Sequence, residues 1–188
     1  MNSLHTYLAT FNLPEIQINK ISSIFNTKIT LNKGDYFHTE GHIANQIGFI
    51  LTGMCRYFYL TEKKEVTRWV GLSNEFVVSL GSFITQTKSR ENIQALELTE
   101  ILVATKEDFQ ILYNEYDFVR NFWIKNIEAN YIGFETRVFN LIALTAEERY
   151  KWMLIHQPQF NLLVPDKYVA SMLGIKPRHL SRIRGKKK

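Results

Sequence analysis

The sequence predicts an α+β protein, with an N-terminal antiparallel β-roll of the jelly-roll kind, one long helix and a C-terminal helix-turn-helix. Three observations lead to this prediction. Short segments of alternating character recur through the first hundred or so residues. A broad apolar stripe with helical spacing occupies residues 116–145, and two short helical segments separated by Gly174 follow it. A strand-rich part followed by helices is typical of the α+β class.

The strands of the roll are predicted from period-two segments bounded by turn residues. A turn at residues 33–35 separates the first two strands, and Gly53 separates QIGFILTG from MCRYFYLT. The segment EKKE turns into VTRWVG, which is followed by NEFVVSL, NIQALE and EILVAT. Short strands at a spacing of about 8–12 residues favour an antiparallel roll over a βαβ sheet. Helical segments are expected at residues 13–25 and 106–113, on either side of the strands.

The long helix is predicted from Tyr116 to Thr145 because apolar residues recur every three or four positions along it. Phe118, Phe122 and Phe139 widen the stripe. A helix with so broad an apolar face needs partners on more than one side. Packing within the chain is one answer, and a second copy of the helix is the other.

The positive charge is concentrated at the C-terminal end. Residues 165–188 contain eight basic residues and one acidic residue, so they carry 8 − 1 = +7, whereas the other 164 residues carry 15 − 17 = −2. Such an end indicates a polyanionic partner such as DNA, RNA or anionic lipid, or else a solvated tail. No apolar run reaches the length of a membrane span, and the N-terminus does not resemble a secretion signal. With Cys55 as the lone cysteine, we expect a cytoplasmic protein without disulfides.

The spacing within the basic end favours a helix-turn-helix. A first helix fits residues 165–173, Gly174 suits the turn, and a second helix can begin near Lys176 with Pro177 as its first residue. A small residue at the helix crossing, a glycine four positions later and five apolar core positions match the motif of DNA-binding proteins. These seven residues are Val169, Ala170, Leu173, Gly174, Ile175, Leu180 and Ile183. An ordinary helical hairpin is the alternative, but its outer face need not be basic.

We therefore expect the second helix and the tail to bind double-stranded DNA. The predicted DNA-binding residues are Lys176, Arg178, His179, Ser181, Arg182, Arg184, Lys186, Lys187 and Lys188. Because one helix-turn-helix contacts few base pairs, a homodimer is expected, formed by a parallel pair of long helices. Its seam is predicted near Trp123, Ile127, Phe134 and Val138.

A β-roll, a long helix and a helix-turn-helix in this order resemble the Crp/Fnr family of bacterial transcription regulators. The resemblance is carried by KGDYFHTEG and IGFILTGMCRYFY in the roll and by VASMLGIKPRHLSRIR in the basic end. It implies a sensor roll of the cyclic-nucleotide-binding type at residues 1–115, a dimerisation helix at 116–145 and a DNA-binding domain at 146–188. It also implies an inverted-repeat operator and, as a further partner, RNA polymerase. We expect the family's wing to be truncated in this sequence, with the strand-like FNLLVP (Phe160–Pro165) as its remnant.

Whether such a roll binds a cyclic nucleotide depends on a short segment that contacts the ribose and the phosphate, which we call the cassette. The resemblance implies a glycine and a glutamate for the ribose and an arginine-serine pair for the phosphate. Val78 and Ser79 stand at the first pair, and Ser89 and Arg90 stand at the second in reverse order, beside Glu91. Ser79, Ser89 and Arg90 are the candidate effector residues, but a cyclic nucleotide is not favoured, and no cofactor is predicted.

Other chemistries find little support in the sequence. An iron–sulfur cluster needs about four cysteines, and the histidines show no spacing typical of a metal site. No phosphate-loop, dinucleotide or nucleophile-elbow motif is present, so an enzyme is not expected. The alternative to a DNA-binding regulator is a sensing or scaffolding module of the same fold that acts through protein partners. Three arginines on one face of the second helix favour the regulator.

Overall fold

The computed structural model describes residues 3–62 and 64–185, and within them it contains nine helices and eight strands. The strands are β1 (Thr27–Leu31), β2 (Tyr36–His38), β3 (Gln46–Thr52), β4 (Met54–Leu60), β5 (Glu65–Leu72), β6 (Phe76–Val77), β7 (Asn92–Ala95) and β8 (Thr99–Thr105). The helices are α1 (Ser3–Ala9), α2 (Glu15–Ser22), α3 (Leu80–Thr85), α4 (Lys106–Glu115), α5 (Asp117–Ala143), α6 (Ala146–His156), α7 (Pro158–Leu163), α8 (Asp166–Met172) and α9 (Pro177–Gly185). The α+β class with an antiparallel roll and a long helix is confirmed.

The roll consists of two four-stranded antiparallel sheets, ordered β1-β8-β3-β6 and β2-β7-β4-β5. Two pairs of consecutive strands are split between the sheets: β1 and β2 lie in different sheets, and so do β3 and β4, whereas β4 and β5 form an antiparallel hairpin. Gly53 allows the chain to pass from β3 in one sheet to β4 in the other. Its φ is +87°, and a Cβ there would lie 2.6 Å from the carbonyl oxygen of Leu98, so only glycine fits.

Helices cover one end of the roll and enclose its larger core. Phe49 and Phe83 are fully buried there together with Leu4 and Leu8 of α1. The sequence did not predict α1, which precedes the helical segment expected at residues 13–25. It also did not predict α3, which lies between the segments NEFVVSL and NIQALE. The segment NEFVVSL forms only the two-residue strand β6. Short helices of six or seven residues show too little periodicity to be recognised without their packing partners.

The long helix α5 begins at Asp117 and ends at Ala143, within two residues of the prediction. Its first half packs on the roll through Val119 and Phe122, which are 2% and 5% exposed. Its second half leaves several large apolar side chains in solvent. No helix among residues 3–62 and 64–185 is long and apolar enough to cross a membrane.

The last four helices, α6 to α9, form what we call the head (residues 146–185). The predicted strand at Phe160–Pro165 is wrong, because α7 occupies residues 158–163, with Pro158 at its first turn and Phe160 buried. Proline is favoured at that helical position, where its missing N–H costs nothing. Trp69 of β5 packs edge-on against Phe160 at 4.9 Å, so the core of the head is continuous with the outer face of the roll.

Candidate nucleic-acid interface and central cavity

The two helices of the predicted motif, α8 and α9, meet at a turn that glycine allows. Gly174 has a φ of +70°, and the N–H of Ile175 donates to the carbonyl of Ala170 at 2.9 Å, which ends α8. Val169, Ala170 and Leu180 are completely buried at the crossing. The spacing that predicted a helix-turn-helix thus corresponds to packed contacts between the two helices.

The outer face of α9 is basic and open to solvent. Five of the predicted DNA-binding residues are exposed there, and α9 contains no acidic residue. These five are Lys176, Arg178, His179, Ser181 and Arg182. Leu180 and Ile183 point the opposite way, into the core of the head. A helix with one buried edge and a free cationic edge has the form that can enter a major groove. The predicted contacts of Lys186, Lys187 and Lys188 lie outside the described residues.

Arg184 differs from the sequence prediction, because its guanidinium is engaged within the head. It donates to both carboxylate oxygens of Asp166 at 2.7 Å, to the hydroxyl of Tyr150 at 3.1 Å and to the side-chain oxygen of Asn161 at 2.8 Å. These partners belong to α8, α6 and α7. Arg184 therefore ties the four helices of the head together, and we remove it from the predicted DNA contacts.

The second half of α5 carries a heptad pattern of apolar residues. Successive members are separated by three and four residues in turn, the spacing of a coiled-coil seam. They are Ile124, Ile127, Tyr131, Phe134, Val138 and Leu141. All are exposed except Ile127, which is half-buried, and Tyr131 and Phe134 are 65% and 56% exposed.

Trp123 does not belong to this seam pattern, although the sequence reading placed it there. Its ring lies 4.7 Å from that of Phe109 and 6.0 Å from that of Phe83, so it packs on the core of its own protomer. Ile124, the next residue, takes the seam position. A stripe as broad as this one does not show which apolar residues face inward until the roll is in place.

The cassette residues Ser79 and Ser89 are buried, and their hydroxyl groups are hydrogen-bonded to each other. Their hydroxyl oxygens lie 2.9 Å apart, and the hydroxyl of Ser89 also accepts from the N–H of Glu91 at 3.0 Å. Arg90 is exposed, whereas the neighbouring carboxylate of Glu91 is 6% exposed. The cassette thus differs from the one that the family resemblance implies, because Ser89 and Arg90 stand in reverse order beside the buried carboxylate of Glu91.

A cavity of about 1130 Å³ lies between the roll, α5 and the head; we call it the central cavity. The three tryptophans of the chain, Trp69, Trp123 and Trp152, line it, one from each of these parts. Ser79, Ser89 and Arg90 also belong to its wall. All three candidate effector residues therefore lie in the wall of one cavity, and their role in binding an effector stays a prediction.

Arg68 reaches this cavity through an irregularity in β5. Tyr57 pairs with Trp69 and Phe58 pairs with Thr67, so Arg68 has no partner on β4. A bulge of this kind redirects one side chain of a strand. The guanidinium of Arg68 bonds to the carboxylate of Glu91 at 2.5 Å.

Arg137 of α5 lines the same cavity. It donates to the main-chain carbonyl of Met172 at 2.8 Å, near the turn between α8 and α9. Burial, together with the positive charge of Arg68, lowers the pKa of Arg137 to about 10. The sequence reading missed both arginines, because neither lies in a motif and the bulge that exposes Arg68 depends on strand pairing.

Metal ligands and the lone cysteine are the other groups whose positions bear on the chemistry of the chain. No cluster of three or more potential metal ligands occurs within the described part of the chain. Cys55 is fully buried, and burial raises the pKa of its thiol to about 12. Such a thiol is protonated at neutral pH and behaves as a small core residue.

Comparison with known proteins agrees with this architecture. Residues 28–116 match the family model of the cyclic nucleotide-binding domain. A CooA mutant from Carboxydothermus hydrogenoformans is similar over 96% of this chain and 83% of its own, at 20% identity and a TM-score of 0.73. FixK2 from Bradyrhizobium japonicum is similar over 85% of this chain and 83% of its own, at 15% identity and a TM-score of 0.74.

A proposed Crp/Fnr-family transcriptional regulator from Eubacterium rectale is also similar, at 16% identity and a TM-score of 0.69, over 95% of this chain and 85% of its own. No curated protein matches the chain by sequence. Residues 28–116 are therefore similar to the cyclic nucleotide-binding domain, and the chain as a whole has the fold of the Crp/Fnr transcription regulators.

Proposed function

We propose that the protein is a homodimeric transcription regulator that binds an inverted-repeat operator in double-stranded DNA. The observation that carries this proposal is the exposed face of α9. Arg178 and Arg182 are one helical turn apart and open to solvent, on a helix held in place by Leu180 and Ile183. An arginine near the start of such a helix can bond to guanine O6 and N7 in the major groove.

The dimer is supported by the exposed seam on α5. Tyr131, Phe134 and Val138 are 65%, 56% and 40% exposed, and they lie on one face of the helix. A parallel partner helix would cover this face and hold two heads about a twofold axis. Two linked heads bind far more tightly than one, because the second contact becomes intramolecular. The operator is then expected to have half-sites about one helical turn, ~34 Å, apart.

We propose further that cyclic AMP is not the effector. The support is the buried Ser79–Ser89 pair and the adjacent carboxylate of Glu91, which leave no preformed site for a cyclic phosphate. An arginine elsewhere in the cavity would have to replace the cassette. Contact with RNA polymerase, which the family resemblance suggested, stays a prediction.

The proposal is tested with the purified full-length chain. Sites selected from a random pool of duplex DNA are measured by fluorescence anisotropy, and the particle mass is measured by light scattering at micromolar concentration. We expect an inverted repeat, a particle of 44.2 kDa (2 × 22.1) and an unchanged affinity when cyclic AMP is added. A 22.1 kDa particle would contradict the dimer. A dimer that binds no DNA at low salt would instead favour a scaffolding role through protein partners.

A further inference from the structure

We propose that the central cavity binds a small organic anion, a carboxylate or a phosphate ester, whose charged group lies between Arg68 of β5 and Arg137 of α5. This inference rests on the proposed function in one respect only, since it supplies the regulator with an effector. The site differs from the cassette, because neither arginine belongs to it. Four observations support the assignment: an uncompensated charge, a redirected side chain, the charge of the wall and its apolar lining.

The uncompensated charge is that of Arg137. None of the ion pairs found among the described residues involves it, and its hydrogen bond goes to a main-chain carbonyl, that of Met172. The side chain is half-buried in the wall of the cavity. A guanidinium removed from water in this way is stabilised by an anion that reaches it. The carbonyl of Met172 fixes one edge of the group and leaves the other nitrogens free for a ligand.

The redirected side chain is Arg68, which lies at the bulge in β5 and lines the same cavity as Arg137. The two groups carry like charges, and after burial the charge of Arg68 contributes to the lowered pKa of Arg137. Glu91 neutralises Arg68 in an ion pair of 2.5 Å, but among the described residues it forms none with Arg137. An anion between the two guanidinium groups would replace this repulsion by two attractive contacts, which gives the ligand a reason to bind there rather than at the exposed Arg90.

The wall of the cavity as a whole is cationic. Four of its residues are basic and two are acidic, a net charge of 4 − 2 = +2: Arg68, Lys88, Arg90, Arg137, Glu75 and Glu91. The remaining wall is largely apolar, with Trp69, Phe122, Trp123 and Trp152 among its members. Cavities that bind small molecules combine such an apolar lining with a few convergent polar groups. The ligand is therefore expected to have an aromatic or aliphatic body and one anionic group.

The position of the site suggests how the anion would act on the head. Arg137 contacts the end of α8 through Met172, and Trp152 of α6 lies in the same wall. A ligand held by Arg137 thus touches the roll, α5 and the head at once. A ligand that binds one arrangement of these parts better than another shifts the population toward it.

The test uses the three tryptophans, which all line the cavity, as probes of the full-length protein without DNA. Benzoate and phenyl phosphate are titrated at constant ionic strength, with benzyl alcohol as the uncharged control, and calorimetry provides an independent binding curve. We expect at least one anion to quench the tryptophan fluorescence saturably, and benzyl alcohol to cause no quenching at the same concentrations. The stronger of the two anions identifies the carboxylate or the phosphate class.

Three variants locate the charged group. We expect Arg137→Gln to weaken the anion about tenfold or more, as for the loss of a charge-assisted hydrogen bond. Arg90→Gln, the matched control at the cassette, should change the affinity less than about twofold. Arg137→Lys retains the charge without the planar fork and should bind with intermediate affinity, which keeps the test decisive if Arg137→Gln does not fold.

Several results would overturn the proposal. These are equal binding of benzyl alcohol, loss of binding in Arg90→Gln but not in Arg137→Gln, or no binding of either anion up to about 10 mM, a concentration that saturates a site with a dissociation constant of roughly 1 mM. Because the titrations contain no DNA, they can fail while operator binding succeeds, and the reverse also holds. The experiments therefore test the anion site and the DNA-binding function independently.

Discussion

Ser171 of α8 is hydrogen-bonded to both main-chain groups of Thr67 on β5. Its hydroxyl oxygen accepts from the N–H of Thr67 at 2.9 Å and donates to the carbonyl of the same residue at 3.2 Å. Strand β5 lies at the edge of its sheet, so these main-chain groups would otherwise lack a partner strand. The first helix of the helix-turn-helix thus closes the sheet edge. Thr67 also adjoins Arg68, so the docking contact and the proposed anion site share one bulged stretch of strand.

Ser171→Ala is expected to weaken the docking of the head. The buried N–H of Thr67 would lose its partner, which costs about 1–3 kcal/mol. We expect a lower free energy of unfolding in denaturant titrations and faster proteolysis near residues 143–146. Ser181→Ala removes an exposed hydroxyl from α9 and serves as the control. Equal stability of the two variants would show that the Ser171 contact does not hold the head.

Arg178→Ala is expected to reduce operator affinity by about 1–3 kcal/mol and to relax the preference at one base pair. The reason is that Arg178 is exposed near the start of α9, where side chains reach base edges. Affinity for the selected operator and for random DNA is measured by anisotropy at a fixed salt concentration. If both affinities fell by the same factor, Arg178 would be a phosphate contact and the assignment would be wrong.

Arg184→Ala is expected to affect stability rather than base preference, in contrast to Arg178→Ala. It removes the bonds to Asp166, Tyr150 and Asn161, and since the group is partly exposed we expect a loss of about 1–2 kcal/mol. The measurement is the free energy of unfolding, alongside the base preference of the selected operator. A changed preference at unchanged stability would return Arg184 to the DNA contacts.

Val138→Asp is expected to dissociate the dimer, because it places a charge in the middle of the seam. Burying an unpaired carboxylate against the partner helix should raise the dissociation constant roughly 100-fold or more. Phe139→Asp is the matched control, since Phe139 is 60% exposed on the same turn but outside the heptad pattern. Light scattering over a dilution series measures both. A Val138→Asp protein that remains a dimer as tightly as the wild type would place the seam elsewhere.

Cys55 is expected to resist alkylation in the folded protein. Its pKa, raised to about 12, keeps the thiol protonated and unreactive at pH 8, and its side chain has no solvent exposure. Reaction with iodoacetamide should therefore follow unfolding, with a rate that increases as denaturant is added. Rapid labelling at pH 8 without denaturant would contradict this account of the core.

The local patterns of the sequence were sufficient for the helix-turn-helix. Its information lies within about twenty consecutive residues, where Gly174 sets the turn and the spacing of Val169, Leu180 and Ile183 sets the buried edge. The strands of the roll and the extent of α5 were predictable for the same reason, since period-two and three-four repeats are local. The interpretation of Phe160–Pro165 as a strand was wrong, because an apolar run of that length suits a strand as well as a short helix.

The tertiary structure decided everything that depends on which residues meet across the fold. Arg184 belongs to the same basic pattern as Arg178, and only the positions of Asp166 and Tyr150 in the folded head distinguish a structural contact from an exposed one. Trp123 and Ile124 are neighbours on one helix, and the roll determines which of them is covered. Arg68 and Arg137 are 69 residues apart in the sequence. They face one cavity because strand pairing produces a bulge in β5 and α5 packs across it, and no repeat along the chain encodes that meeting.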